Sequence, residues 1–274
     1  MWQIVNRKIR NYIVFIIFSF LYALPVIGYA QLQFNIDGNE ESTYRTILEK
    51  SGKVIWQAER SVIKRVEDGK EIVVVSESGH GKYNNSPEDM HWIVKSRILS
   101  SQDPVVLETT RTAFSSNNKE LWRKNKIFDY SKKRLIAEHF DNGRLIKRKS
   151  IPFPEGKVFI SEILSLILRG YNFETQEPCS FYIFSWDGKV FKMKARRIDK
   201  EIVHVPAGKF ECYKIEIFPD FGIVNYLSNH IFPKTYLWFT VKAPHYWVKY
   251  EGLESGLTSS YVTMEITEFN GKKE

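Results

Sequence analysis

Alternating apolar and polar residues, interrupted by short turn-forming sequences, recur over most of the chain and restrict what it can fold into. A period of two places successive side chains on opposite faces of a β-strand, and Asp-Gly pairs favour tight hairpins. Lys53 to Val66 is one such segment, Glu67-Asp68-Gly69-Lys70 is a turn, and Glu71 to Ser76 follows as a second segment. The pattern predicts an antiparallel meander.

The same pattern continues to the end of the chain. In the first half the further predicted strands are 92–99, 105–114, 121–130, 135–140 and 144–151. In the second half they are 180–186, 190–205, 210–218, 235–241, 245–251 and 259–269. An aromatic content of 15% agrees with a mainly β protein, because aromatic side chains favour strands. No linker rich in Ser, Pro or Gly separates the halves, so we expect residues 31–274 to form a single domain.

One segment, Val158 to Arg169 (VFISEILSLILR), does not alternate and predicts a helix. Ser161, Ser165 and Arg169 are spaced four residues apart, which places them on one narrow polar stripe, and nearly all other positions are apolar. Gly170 suits the position after a helix C-terminus. A helix this apolar must cover something, and we expect it to pack on the inner face of the sheet.

The first thirty residues have the features of a signal peptide. Basic residues precede an apolar run from Ile13 to Leu24, Pro25 ends the run, and Gly28-Tyr29-Ala30 provides small residues for cleavage after Ala30. The alternative is an uncleaved anchor, but the run is shorter than the roughly 20 residues of a spanning helix. We therefore predict a periplasmic or secreted protein with no stable transmembrane anchor after cleavage.

The charge of the chain does not indicate nucleic-acid binding. Residues 1–30 hold three basic and no acidic residues, so their removal lowers the formal net charge from +8 to +5. The densest basic stretches, 132–134 and 144–149, lie beside turn residues and are interpreted as solvated strand faces. We predict no nucleic-acid partner.

The stretch EIVHVPAGKFECYKIEI, Glu201 to Ile217, contains residue types that are common in catalytic and metal sites. A turn at Pro206-Ala207 and strand alternation assign His204 and Glu201 to opposite faces, and likewise Cys212 and Tyr213. The pattern therefore predicts a hairpin, without a metal site or a Cys–His pair. The histidines are scattered, and neither a GxSxG element nor a phosphate-binding loop occurs. We predict a protein that is not an enzyme and that has no cofactor or metal.

The two cysteines, Cys179 and Cys212, raise the question of a disulfide, which is common in exported proteins. The predicted hairpins place Cys179 opposite about Arg196 and Cys212 opposite about Ile202, levels that differ by roughly 20 Å along a strand. A disulfide needs Cα atoms within about 7 Å. We expect two free thiols, although a bulge near Asp199 would change the register and make a disulfide possible.

Four elements in a fixed order carry a family resemblance: an apolar helix ending LILRG, a hairpin on WDGK, the segment EIVHVPAGKFECYKIE, and a late APHYWVKYEG. Over Glu162 to Gly256 the chain resembles a family of exported bacterial domains of unknown function. The resemblance implies a curved antiparallel half-barrel closed by helices, similar to periplasmic lipoprotein carriers, whose concave face takes lipid. That family has no established activity, so it implies no catalytic residues.

Two functional hypotheses follow. The first is a binding module for a lipid or other apolar ligand, with the cavity lined by Phe159, Ile163, Leu166, Ile167, Trp238 and Trp247. Core packing is the alternative reading of the two tryptophans. The second is an envelope scaffolding or assembly protein that docks a protein partner through the aromatic segment Pro219 to Pro233, by way of Phe221, Tyr226 and Phe232.

Overall fold

The structure, a computed structural model, describes residues 36, 38–83, 86–101, 104–185, 188–220, 233–255 and 259–270. The first eight strands are β1 (Glu40–Leu48), β2 (Lys53–Glu67), β3 (Lys70–Gly81), β4 (Met90–Leu99), β5 (Val105–Phe114), β6 (Glu120–Asp129), β7 (Arg134–Asp141) and β8 (Arg144–Pro152). The others are β9 (Val158–Ile160), β10 (Cys179–Phe184), β11 (Val190–Val205), β12 (Gly208–Pro219), β13 (Thr235–Thr240), β14 (Trp247–Leu253) and β15 (Tyr261–Phe269). Between β9 and β10 lies a helical segment, 161–170.

All fifteen described strands belong to one sheet. Neighbours in sequence pair as hairpins from β1 to β8 and from β10 to β15, and β1 also pairs with β15, so the strand order is β8 through β1, then β15 through β9. Every pair is antiparallel except β9 and β10. The sheet is open and curved, which confirms the predicted mainly β half-barrel. Among the described residues no helix is long and apolar enough to cross a membrane.

The helical segment packs on one face of the sheet, called the inner face below. Ile163, Leu166, Ile167 and Leu168 are each at most 1% exposed and belong to the main core. That core draws on both halves of the sheet, and its other members include Val62, Val73, Val75, Ile98, Phe128, Leu135, Phe181, Phe184, Ala195, Ile215, Leu237 and Phe239. The expectation that an apolar helix covers the inner face is confirmed.

The predicted helix boundaries were wrong at the N-terminal end. Val158–Ile160 is strand β9, parallel to β10, and Ile160 is extended with φ −123° and ψ 152°. The helical part begins with a 3₁₀ turn at Ser161–Ile163, continues as the short helix α1 (Leu164–Ile167), and ends in a second 3₁₀ turn at Leu168–Gly170. Valine, phenylalanine and isoleucine favour strands, and a neighbouring strand was available to pair with them.

A central strand was absent from the sequence prediction. β1 (Glu40–Leu48) connects the two halves of the sheet, because it pairs with β2 on one side and with β15 on the other. Its sequence, EESTYRTIL, is mostly polar, although Glu40, Tyr44 and Thr46 are buried. Alternation of apolar and polar residues is therefore weak here, and the pairing with β15 joins residues far apart in sequence.

The hairpin β11–β12 forms as predicted, with Val205 opposite Gly208 and the turn at Pro206-Ala207. Its tip reaches across the sheet, since the Ala207 N–H donates to the Ile266 carbonyl on β15 at 3.3 Å. Ala207 is buried in a separate cluster, called the hairpin cluster, whose buried members are Val203, Ala207, Cys212, Trp238, Val248 and Ile266. The turn therefore contributes to packing between β11 and β15.

The two cysteines are free and buried in different places. Cys179 lies opposite Ala195 and belongs to the main core, whereas Cys212 lies opposite Glu201 and belongs to the hairpin cluster. A register shift occurs between Arg197 and Asp199, at the position where a bulge would have made a disulfide possible, but it does not bring the cysteines together.

Candidate functional site: a buried polar layer under the helical segment

Strand register places charged residues on the inner face in two adjacent rows. One row of cross-strand neighbours runs through Ser42, Arg60, Glu77, Val94, Arg111 and Lys124. The next runs through Glu40, Val62, Val75, Ser96, Thr109 and Lys126. Because buried charges need partners, the contacts of these side chains decide what the region can do.

Arg60 connects the first row to the helical segment. Its Nη1 donates to Ser165 Oγ at 2.7 Å and its Nη2 donates to the Glu162 carbonyl oxygen at 3.2 Å. Burial lowers the pKa of the Arg60 guanidinium from its ordinary value. Arg60 therefore holds the helical segment by two hydrogen bonds from a desolvated cation.

Lys126 and Glu162 form the most buried charged pair. Lys126 Nζ lies 3.7 Å from Glu162 Oε2 and donates to the Phe184 carbonyl at 3.1 Å, and the two side chains are 1% and 4% exposed. Burial lowers the pKa of Lys126 to about 8, against the opposing effect of Glu162. Within the described part of the chain, neither carboxylate oxygen of Glu162 has a donor at hydrogen-bonding distance. The ion pair is therefore incompletely compensated for its desolvation.

A second ion pair closes the other end of the layer. Arg169, the last basic residue of the helical segment, donates from Nη1 to Glu40 Oε1 at 2.7 Å, with side chains 6% and 4% exposed. Its guanidinium carbon also lies 5.1 Å from the centre of the Tyr246 ring. The helical segment thus contacts charged groups of the sheet at Glu162, Ser165 and Arg169.

Beyond the helical segment the inner face carries an aromatic cluster. Trp56 and Trp92 meet edge to face with ring centres 5.3 Å apart, and Tyr83 packs against both. The Arg111 guanidinium donates to the Tyr83 hydroxyl and lies over its ring, and burial raises the pKa of that hydroxyl. The Trp92 indole N–H points at Glu77 Oε1, 3.4 Å away. These rings and charges fill this part of the inner face.

The predicted ligand-lining residues lie in two different places. Phe159, Ile163, Leu166 and Ile167 are 0–2% exposed and pack together in the main core. Trp247 also faces this side and packs edge to face on Tyr44, with ring centres 5.5 Å apart.

Trp238 is on the opposite face, in the hairpin cluster, where its indole N–H donates to Glu201. Lys214 and Lys249 place their Nζ atoms 4.8 Å and 4.9 Å from its ring centre. Trp238 therefore does not border the region that the helical segment covers. The predicted partner-binding residues Phe221, Tyr226 and Phe232 lie outside the described residues.

A cavity that was not predicted lies mainly on the outer face. It has a volume of about 410 Å³. Two outer-face rows of cross-strand neighbours border it, together with Ser42, Arg60 and Glu77 of the adjoining inner-face row; the outer-face residues are Glu268, Thr43, Glu59, Ser78 and Ile93 in one row and Glu41, Ser61 and Ser76 in the other. Several hydroxyl and carboxylate side chains border this cavity, although apolar atoms also contribute to its lining.

The buried polar layer could have been found in part from the sequence. Alternation along β2 puts Arg60 on the same face as the apolar residues Trp56, Ala58 and Val62, and alternation along β6 puts Lys126 beside Phe128. A basic residue on an otherwise apolar strand face is the signal. The partners on the helical segment, Glu162 and Ser165, could not be assigned without the tertiary arrangement.

The reactive residue types of the β11–β12 hairpin stay apart, as predicted. His204 lies opposite Lys209 and Cys212 opposite Glu201, and these two pairs are on different faces of the hairpin. Burial raises the pKa of the Cys212 thiol to about 12, and the nearby carboxylates of Glu201 and Glu211 add to the effect. A thiol in this environment is a poor nucleophile.

Comparison with known proteins gives likenesses only among solved structures. A protein described as exported, with a YmcC-like fold, from Bacteroides fragilis is 10% identical, with a TM-score of 0.33 over 87% of this chain and 98% of its own. A protein described as a lipoprotein, from Parabacteroides distasonis, is 9% identical, with a TM-score of 0.33 over 88% of this chain and 99% of its own. No family model and no curated protein matches the chain. Likenesses at this level carry no argument about function, and the family resemblance of the sequence stays a prediction.

Proposed function

We propose that the chain is an exported, non-enzymatic protein of the cell envelope that binds a lipid or another apolar molecule on the inner face of its sheet. The observation that carries the proposal is the helical segment, which covers the main core with only four α-helical residues flanked by two 3₁₀ turns. None of these three pieces has a side-chain hydrogen bond at its N-cap. Displacement of this short segment would expose the apolar surface of the main core, and a lipid chain covers the same kind of surface.

The buried charges support the same view. The Glu162 carboxylate is desolvated, pairs with Lys126 at 3.7 Å, and has no hydrogen-bond donor among the described residues. Desolvation of such a pair offsets much of its Coulomb attraction, so seating the helical segment here contributes little stability beyond its apolar contacts. In the structure the inner face is filled, so ligand binding requires the helical segment to move away from the sheet.

Native mass spectrometry of protein purified from its own host tests the proposal. We expect a lipid-sized adduct that organic extraction removes and that increases in Arg60→Met, which loses both hydrogen bonds to the helical segment. Arg65→Met is the matched control, because Arg65 lies on the same strand with its side chain 47% exposed. Protein that is free of adduct in the wild type and in Arg60→Met would exclude the proposal.

A second candidate is a scaffolding or assembly protein that docks a partner through residues 219–233. One observation favours it: Ile217 and Thr235 are paired across β12 and β13, so residues 220–234 join strands that a turn of about two to five residues could join. Replacing residues 221–232 by two glycines should abolish co-purification of an envelope partner and leave the thermal unfolding midpoint unchanged. An unchanged set of co-purified proteins would remove this candidate.

A further inference from the structure

One edge of the sheet has exposed backbone groups that no described strand pairs with. β8 (Arg144–Pro152) is the end strand and pairs with β7 alone among the described strands. The Phe153 N–H donates to the Lys133 carbonyl at 2.9 Å, so Phe153 and Lys133 are a hydrogen-bonded pair. Hydrogen-bonded and non-hydrogen-bonded pairs alternate along an antiparallel ladder, so the N–H and C=O groups of Ser150 and Arg148 point away from β7. The Ser150 carbonyl accepts from the Arg134 guanidinium at 3.3 Å, whereas among the described residues the outward N–H groups of Arg148 and Ser150 have no backbone partner. Outward N–H groups of this kind are a template for another strand.

The side chains of β8 are basic and exposed. Its sequence, RLIKRKSIP, has four basic residues among nine and no acidic residue. Arg144, Lys147 and Arg148 are exposed, and Arg148 keeps 62% of its side chain in solvent although it lies 3.5 Å from Glu138. Leu145 and Ile146 are 45% and 55% exposed. The edge thus combines positive charge with apolar contact surface.

The C-terminal end of β8 is held in place by the rest of the fold. Ile151 lies opposite Leu135, which is fully buried in the main core. The turn at Gly188 lies against Ile151 and Lys149, since a Cβ at Gly188 would fall within 3.4 Å of both side chains. An ordered edge binds an incoming strand without first having to fold, which lowers the entropic cost of binding.

We propose that β8 is a docking edge for an extended acidic segment of a partner protein, which adds to the sheet as a sixteenth strand. Backbone hydrogen bonds to Arg148 and Ser150 fix the register, and acidic side chains pair with Arg144 and Lys147 on one face of the strand or with Arg148 on the other. The same charges disfavour pairing of β8 with a second copy of itself, because like charges would face each other. This strand edge takes no part in the contacts of Arg60, Lys126 and Glu40 with the helical segment.

The test uses three fluorescent peptides of ten residues. In each peptide every second residue is Thr or Val, and the residues between them are all Glu, all Gln or all Lys. Binding is measured by anisotropy, and the site by hydrogen exchange of the β8 amides. We expect the Glu peptide to bind at least about tenfold more tightly than the Gln peptide, with added salt weakening it, and to protect the Arg148 and Ser150 amides.

Ser150→Pro removes one outward N–H without changing charge, and Ser150→Ala is its matched control, which keeps that N–H. We expect Ser150→Pro to weaken binding about tenfold and Ser150→Ala to leave it unchanged. The double change Lys147→Glu with Arg148→Glu should abolish binding of the Glu peptide, and it keeps the proposal testable if Ser150→Pro fails to fold.

Three results would overturn the proposal. One is equal affinity for the three peptides, or protection of amides elsewhere than in β8. Another is a dimer in sedimentation velocity that the Lys147→Glu, Arg148→Glu protein does not form, which would make a second copy the occupant. The third is binding to phosphatidylglycerol vesicles in a protein that binds none of the peptides. If the charge reversal abolishes vesicle binding and Ser150→Pro does not, the edge is a contact for a lipid surface.

Discussion

Arg60 on β2 and Ser165 on the helical segment are joined by a 2.7 Å hydrogen bond between side chains 105 residues apart in sequence. The same guanidinium bonds the Glu162 carbonyl oxygen, so one residue of the sheet holds two consecutive turns of the segment. The rest of the attachment includes the Lys126–Glu162 and Arg169–Glu40 ion pairs and the apolar contacts of the main core. Arg60 is therefore the residue at which attachment of the segment can be weakened without opening a cavity in the core.

Arg60→Met should lower the free energy of unfolding by about 1–3 kcal/mol, because it removes hydrogen bonds from a buried cation and leaves buried acceptors with fewer partners. Urea unfolding measures the loss, and Arg65→Met, on the exposed side of the same strand, should change stability by less than about 0.5 kcal/mol. Amide exchange in residues 162–168 should accelerate in Arg60→Met alone. Equal losses for the two variants would contradict a specific role for Arg60.

Lys126 should make stability depend on pH in the alkaline range. Its pKa is about 8 in the folded protein and 10.5 ordinarily, so between these values the unfolded chain binds a proton that the folded chain lacks. Stability from this group therefore rises with pH from about 8 to 10.5, and the full penalty applies below pH 8. The rise corresponds to at most about 3 kcal/mol.

Urea unfolding between pH 7 and pH 10.5 measures this rise as a difference between wild type and Lys126→Met. The difference is needed because the buried thiols, whose pKa values are raised, act in the opposite direction above pH 9 in both proteins. Lys132→Met, at a lysine whose side chain is 76% exposed, is the control and should follow the wild-type profile. Parallel profiles for wild type and Lys126→Met would show that Lys126 is not desolvated.

Elements whose sequence signals lie within a few residues of each other were predicted correctly, and elements that depend on distant pairing were not. Alternation and turn residues are local, and they predicted β11 with its observed ends, Val190 and Val205, and the turn at Pro206-Ala207. β1 and β9 were not predicted, because each is stabilised by pairing with distant strands more than by its own pattern. A strand of three residues such as β9 has too few positions to show a period at all.

The candidate site shows the same division. The stripe formed by Ser165 and Arg169 was visible in the sequence, but a polar stripe usually faces solvent. In the structure both residues face the sheet, because Arg60 and Glu40 on the inner face provide partners for them. Ser161 of the same predicted stripe is exposed, since it belongs to the first 3₁₀ turn and not to a continuous helix.

Both cysteines should remain unreactive as long as the protein is folded. Burial raises the pKa of Cys179 to about 11 and that of Cys212 to about 12, so almost no thiolate forms at neutral pH. We expect a thiol reagent to label neither cysteine at pH 8 in native protein and both in guanidinium chloride. Protein from the oxidising compartment should migrate identically with and without reductant, and a single labelled thiol or none after unfolding would indicate a disulfide.

The last prediction concerns the hairpin segment that carries the family resemblance. Ala207 is 2% exposed, packs in the hairpin cluster with Val203, Cys212 and Trp238, and donates its N–H to Ile266 on β15. Ala207→Leu adds three carbon atoms to a closed site and should cost about 1–3 kcal/mol of stability in urea unfolding.

Lys209→Leu is the control, because it introduces the same leucine side chain at an exposed position two residues away, and it should be nearly neutral for stability. Because the peptide N–H is kept in both variants, the difference between them reports packing against β15 and not the loss of a hydrogen bond. If Ala207→Leu were as stable as Lys209→Leu, the small residue would not be required for packing. The Pro-Ala-Gly turn would then have to be explained by something other than the fit of its tip against β15.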